Sequence, residues 1–173
     1  HALHLLVGSL TIQVDDERMA NRSFLLAPDG STIASYDKIH MFDVTLPSGK
    51  VIRESSAYQP GDRAVVAQTP WGTLGMTVCY DLRFPELFRL LVDQGASMFL
   101  VTSAWPRARL EAWRLFTRAR AAENLAYRLC FMAGVAAIGM LGSGMFAQAP
   151  AAQAEAWRSA TPTNDAPNPY NTI

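Results

Sequence analysis

Leu74-Gly75-Met76-Thr77-Val78-Cys79-Tyr80-Asp81-Leu82-Arg83-Phe84-Pro85-Glu86-Leu87 decides how the rest of the chain is read. Residues 74–78 read as a buried strand, joined through the turn Pro70-Trp71-Gly72 to a strand Ala64-Val65-Val66-Ala67. Pro85 suits the first position of a helix, where a missing N–H costs nothing, and Glu86 beside it complements the helix dipole. A helix is therefore predicted from Pro85, with Leu87, Leu90 and Leu91 on its inner face and a stop near Gly95. Met98-Phe99-Leu100-Val101 reads as the next buried strand, and a second helix is predicted over about 109–126. Leu115, Ala119, Ala122 and Ala126 fall on one stripe of that helix, the usual signature of a core-facing side. Strand, helix, strand, helix, strand in succession predicts an α/β layered architecture.

Working outward, Ala2 to Gly8 is a short apolar run that reads as a buried strand, and the polar Asp15-Asp16-Glu17-Arg18 reads as a connection. Ser23 to Ala27 and Thr32 to Tyr36 flank Pro28-Asp29-Gly30, a hairpin signal because glycine accepts positive φ without a Cβ clash. Residues 41–63 show no clear periodicity and carry Pro47, Gly49, Pro60 and Gly61, so they are predicted to form a long surface loop of the kind that tends to be functional. Beyond Arg128 the chain runs uncharged to Ala147, interrupted by glycines, and then turns rich in alanine and proline. The reading is a buried strand that continues into a disordered tail, with a first domain over 1–138 and the tail over 139–173.

The chain has 173 residues, half of them hydrophobic and 17% charged, which excludes a wholly disordered polypeptide. Fifteen basic and fifteen acidic residues cancel, which argues against a nucleic-acid footprint or a polybasic membrane anchor. Two cysteines are too few for a disulfide scaffold and fit a reducing, cytoplasmic setting. The three histidines have no ligand partners at useful spacing and no phosphate-cradling glycine loop is present, so neither a metal nor an organic cofactor is expected.

Cys79 at the end of a strand, before a tight turn into a helix, is presented at the sheet edge near free backbone N–H groups. That placement suits attack on a carbonyl, provided a base or a cation raises the thiolate fraction. Lys38, in Tyr36-Asp37-Lys38-Ile39-His40, is the cation candidate, and Glu54 is the carboxylate candidate. Each alone reads as a solvated surface charge, and Cys79 alone as a core filler.

Taken together, Tyr36-Asp37-Lys38-Ile39-His40, then Glu54 ahead of Pro60-Gly61-Asp62, then the Cys79 to Leu87 stretch resemble the nitrilase superfamily of carbon–nitrogen hydrolases. Ser103-Ala104-Trp105-Pro106 and Arg118 to Asn124 add two further landmarks in the family's order. The resemblance covers roughly His1 to Leu129, and Arg-Phe-Pro-Glu-Leu after the cysteine is most similar to the Nit-type branch of omega-amidases and deaminated-glutathione amidases. It implies an α/β fold, a partial αββα sandwich, whose subunits pair sheet to sheet as a homodimer when the domain is complete. It implies Cys79 as nucleophile and Lys38 with the Tyr80 backbone N–H as stabilisers of the oxyanion. Glu54 matches the glutamate that positions the lysine. Arg83 and Glu86 are expected to form a supporting ion pair, Arg120, Glu123 and Asn124 to brace the second helix, and His40 to pack or hydrogen-bond. The implied reaction is hydrolysis of a small linear amide through a thioester on Cys79.

The family's general-base glutamate would fall upstream of His1, and Glu17 stands in the wrong context to replace it. Residues 130–173 do not match the family's closing strands either, so the chain reads as the middle of an amidase with both ends lost or replaced. The alternatives are an inactive remnant that lacks the base and a membrane-associated protein using residues 129–147.

Overall fold

The computed structural model describes residues 3–46, 48–132 and 136–138. The chain divides into His1–Gly139 and Met140–Ile173, and the second unit, with the predicted tail, lies outside the described residues. In the first unit, β1 (His4–Gln13), β2 (Met19–Leu26) and β3 (Thr32–Asp37) form an antiparallel sheet, completed by β10 (Ala136–Ile138) on the free edge of β1. A two-stranded ribbon follows, β4 (Asp43–Thr45) with β5 (Val51–Arg53). The second sheet has the order β6 (Val66–Thr69), β7 (Gly72–Val78), β8 (Met98–Ser103), β9 (Tyr127–Met132), antiparallel only in its first pair. Its connections are α1 (Pro85–Asp93) and α2 (Leu110–Glu123), which pack on one face of it. All six residues of β8 are buried, as a parallel strand covered on both faces requires.

The two sheets lie face to face. Ser23 on β2 and Thr102 on β8 share a buried hydrogen bond of 3.1 Å across the gap. Gly8 on β1 closes the same seam: a Cβ there would come within 2.7 Å of Ser23 Oγ and 2.8 Å of Thr102 Cγ2, so only glycine fits. On the outer side of the second sheet, Phe99 and Val101 meet Leu87, Phe88 and Leu91 of α1 and Trp113 of α2. This gives sheet, sheet and helix layers, an α/β arrangement corresponding to three layers of an αββα sandwich.

Three sequence expectations change. The stretch 41–63 is not a structureless loop, because Asp43 to Thr45 pairs with Val51 to Arg53 and Glu54 to Ser56 form a 3-10 turn. On α1 the inner face is Leu87, Phe88 and Leu91, while Leu90 is 47% exposed, so the buried face is rotated from the predicted stripe toward Phe88. On α2 the predicted stripe does not face the core as a whole. Leu115 is 64% exposed and Ala122 is also exposed, Ala119 is half-buried, Ala126 beyond the helix packs against the core, and the buried side of the helix is Trp113, Thr117 and Arg120. Periodicity gives the angle between side chains and not which side meets the sheet. The uncharged segment after Arg128 begins as strand β9, and no helix among the described residues is long and apolar enough to cross a membrane.

Candidate functional site

Cys79 follows β7 directly and opens a 3-10 turn, Cys79–Arg83, that leads through Phe84 into α1. The thiol is half-buried at this strand end. Its backbone sits at φ 51°, the left-handed region, which costs a residue with a β-carbon about 1–2 kcal/mol. Asp81 holds the turn. Fully buried, its carboxylate accepts from Val78 N–H at 2.8 Å, so the residues on either side of Cys79 are tied together. It also accepts from Tyr36 Oη at 2.7 Å, His40 N–H at 3.1 Å and His40 Nδ1 at 2.8 Å. Burial first, and then the Asp81 charge, push the Tyr36 hydroxyl well above the usual tyrosine range, so it stays a donor.

Lys38 lies one residue past β3 and is only 3% exposed. A buried ammonium needs a paired anion. Glu54, from the 3-10 turn after β5, meets it at 2.5 Å. The same carboxylate accepts from Phe42 N–H at 2.6 Å and from Asn21 Nδ2 at 3.2 Å. With an ammonium and two neutral donors on it, Glu54 acts as a fixed anionic clamp. The backbone around Lys38 is also pinned, by Lys38 N–H to Asn21 O and Gly61 N–H to Lys38 O, both 2.9 Å. Gly61 is required at that contact, since a Cβ would stand 2.3 Å from Asp37 O.

These segments interlock. His40 stacks on Phe84 with ring centroids 3.7 Å apart and 9° between planes, and Phe42 meets Tyr80 edge-on at 5.0 Å. Lys38, Glu54 and Cys79, predicted as a set, are thus carried on three segments joined by hydrogen bonds and ring contacts. His40 does pack and hydrogen-bond. Arg120 links α2 to the cysteine turn, donating from Nε to Leu82 O at 3.0 Å and from Nη1 to Glu123 at 2.5 Å, while Asn124 donates to Arg120 O at 2.8 Å.

The expected Arg83–Glu86 ion pair is corrected. Among the described residues the two do not meet, and the Arg83 guanidinium lies over the rings of Tyr80, Trp105 and Phe116 at 5.6, 5.8 and 4.9 Å. The start of α1 carries Glu86 away from Arg83, and aromatic faces attract the cation instead. Sequence reading missed the parts played by Asp81, Tyr36 and Asn21. Asp81 and Tyr36 stand inside the quoted motifs, where a carboxylate two residues after a strand end was the available signal; Asn21 has none. Among the described residues no three His, Cys, Asp or Glu side chains converge as a metal site would need.

Three comparisons with known proteins bear on the family of this chain. A deaminated glutathione amidase of Yersinia enterocolitica is 44% identical over 142 residues, covering 79% of this chain and 48% of that protein. An omega-amidase of Homo sapiens is 32% identical over 127 residues, covering 73% of this chain and 46% of that protein. Among solved structures, the C. elegans NitFhit protein superposes with a TM-score of 0.68 at 33% identity, over 75% of this chain and 32% of that one. The chain spans about half the length of the curated relatives it matches. The family model described as carbon-nitrogen hydrolase matches residues 1–157, most of the polypeptide, and on that match the chain belongs to the carbon–nitrogen hydrolase family.

Proposed function

We propose that this chain carries the nucleophile and the oxyanion-stabilising half of an amidase site acting on small linear amides of the omega-amide type. Cys79 attacks the amide carbonyl, forming the C–S bond and an oxyanion. Lys38 and the Tyr80 N–H stabilise that oxyanion, and Glu54 keeps the lysine in place. Collapse expels ammonia or an amine after its nitrogen is protonated, leaving a thioester on Cys79, which water then hydrolyses. Loss of one oxyanion donor in such a site costs about 3 kcal/mol, or ~10²-fold in rate. The observation that supports the reading best is a lysine 3% exposed, clamped by Glu54, on a segment bonded to the turn that presents Cys79. The exposed Arg83 guanidinium on that turn, which meets no carboxylate among the described residues, supports an amide bearing an anionic group at its far end.

Proton transfer needs a general base. Among the described residues Glu54 is the one carboxylate on Lys38, and three donors occupy it, which favours a second reading in which this polypeptide acylates but turns over slowly or not at all. Ammonia release from glutaramate-like amides by the 173-residue chain separates the two. Steady release that Cys79→Ala abolishes is expected for the amidase; an acyl mass increment on Cys79 with release that stops at about one equivalent of ammonia marks the stalled form, and the absence of both signals overturns both. Two cysteines in 173 residues support a reducing, cytoplasmic setting.

A further inference from the structure

We propose that Asp81, acting through His40, is the positioning residue that sets Cys79 in register with the Lys38 segment. The proposal rests on the reading of Cys79 as nucleophile and Lys38 as its cationic partner. Asp81 receives four donors: Val78 N–H just before Cys79, Tyr36 Oη, and two from His40. An ionised carboxylate offers two oxygens and no donor, so it can serve all four. An amide in its place would turn an NH2 group toward two of them.

His40 is held in three ways. Its main-chain N–H and its Nδ1 both reach Asp81 Oδ1, and its ring lies flat on Phe84, which ends the cysteine turn. Because the ionised carboxylate only accepts, Nδ1 carries the proton in that contact. The chain two residues past Lys38 is thereby fixed in both place and ring orientation by the nucleophile's own turn. From its other side Lys38 is held by Glu54 and Gly61, neither of which reaches the cysteine turn in a hydrogen bond. The hydrogen bonds that tie the Lys38 segment to the cysteine turn, from Tyr36 on one side of the lysine and His40 on the other, all end on Asp81, and His40 alone adds two bonds and a stacked ring. The same carboxylate keeps Cys79 at its left-handed φ of 51° by closing Val78 onto Asp81.

The test measures alkylation of Cys79 by iodoacetamide in the full chain, read on the Cys79 peptide by mass spectrometry, with thermal melting in parallel. His40→Ala and Asp81→Asn are expected to slow labelling about tenfold or more, as misplacement of a reacting group does. His40→Asn, whose amide N–H overlays Nδ1, restores the rate to within about threefold, whereas His40→Gln, whose amide overlays the far nitrogen, does not. A merely structural role predicts the opposite sign, because a loosened turn exposes the thiol. Labelling by His40→Ala at or above the unmutated rate overturns the proposal. If Asp81→Asn does not fold, the His40→Ala and His40→Asn pair decides alone. If the unmutated chain labels no faster than a free cysteine peptide and Lys38→Met changes nothing, the amidase reading itself fails and the positioning role falls with it.

Discussion

The two sides of α2 do not divide cleanly into apolar and polar. Its buried side carries Trp113, Thr117 and Arg120, continued by Asn124, while its exposed side sets Leu115 and Ala122 among Glu111, Arg114, Arg118 and Glu123. The buried polar groups have specific work. Arg120 bonds to Leu82 O in the cysteine turn and to Glu123, and Asn124 caps back onto Arg120. The inner side is thus the rear support of the candidate site, and the outer side is a largely charged surface that carries two exposed apolar residues. The comparison teaches that hydrophobicity alone does not say which face a helix buries when one face must also satisfy a turn's backbone carbonyls.

The largest effect is expected on the inner side. Trp113→Ala removes an indole packed against Trp105 and the Phe99 cluster, and should cost about 3–5 kcal/mol in urea unfolding. Arg120→Ala should come next, at about 2–3 kcal/mol, since it strands Leu82 O without its charged donor. It should also raise Cys79 alkylation, because the carbonyl it releases belongs to the cysteine turn and a loosened turn exposes the thiol. The outer side should respond in the reverse manner. Leu115→Lys, at a position 64% exposed, is expected to change stability by no more than ~0.5 kcal/mol in the same urea unfolding. A Leu115→Lys chain that unfolds as readily as Trp113→Ala would erase the distinction between the two faces.

Much of the candidate site was legible because its residues lie in short motifs. Cys79 at a strand end, Pro85 at a helix start and Lys38 after a hairpin strand follow from local pattern, and the structure has those elements at β7, α1 and β3. The pairing of Lys38 with Glu54 spans sixteen residues and crosses the β4–β5 ribbon, which short-range periodicity could not show. Arg83 was misjudged for a related reason: three residues from Glu86 suggests an ion pair, yet the rings of Trp105 and Phe116 reach it from distant parts of the chain.

The amino-acid order by itself determined the run of strands and helices, the turn that exposes Cys79, and the angular stripe on α2, because these depend on neighbours within a few residues. Tertiary structure alone decided which helix faces are buried, that Arg83 lies on aromatic rings, and that one carboxylate, Asp81, joins the two halves of the site. Those outcomes turn on desolvation. A charge or a face is settled only when the layers close over it, and what then lies within hydrogen-bonding reach comes from residues remote in the chain.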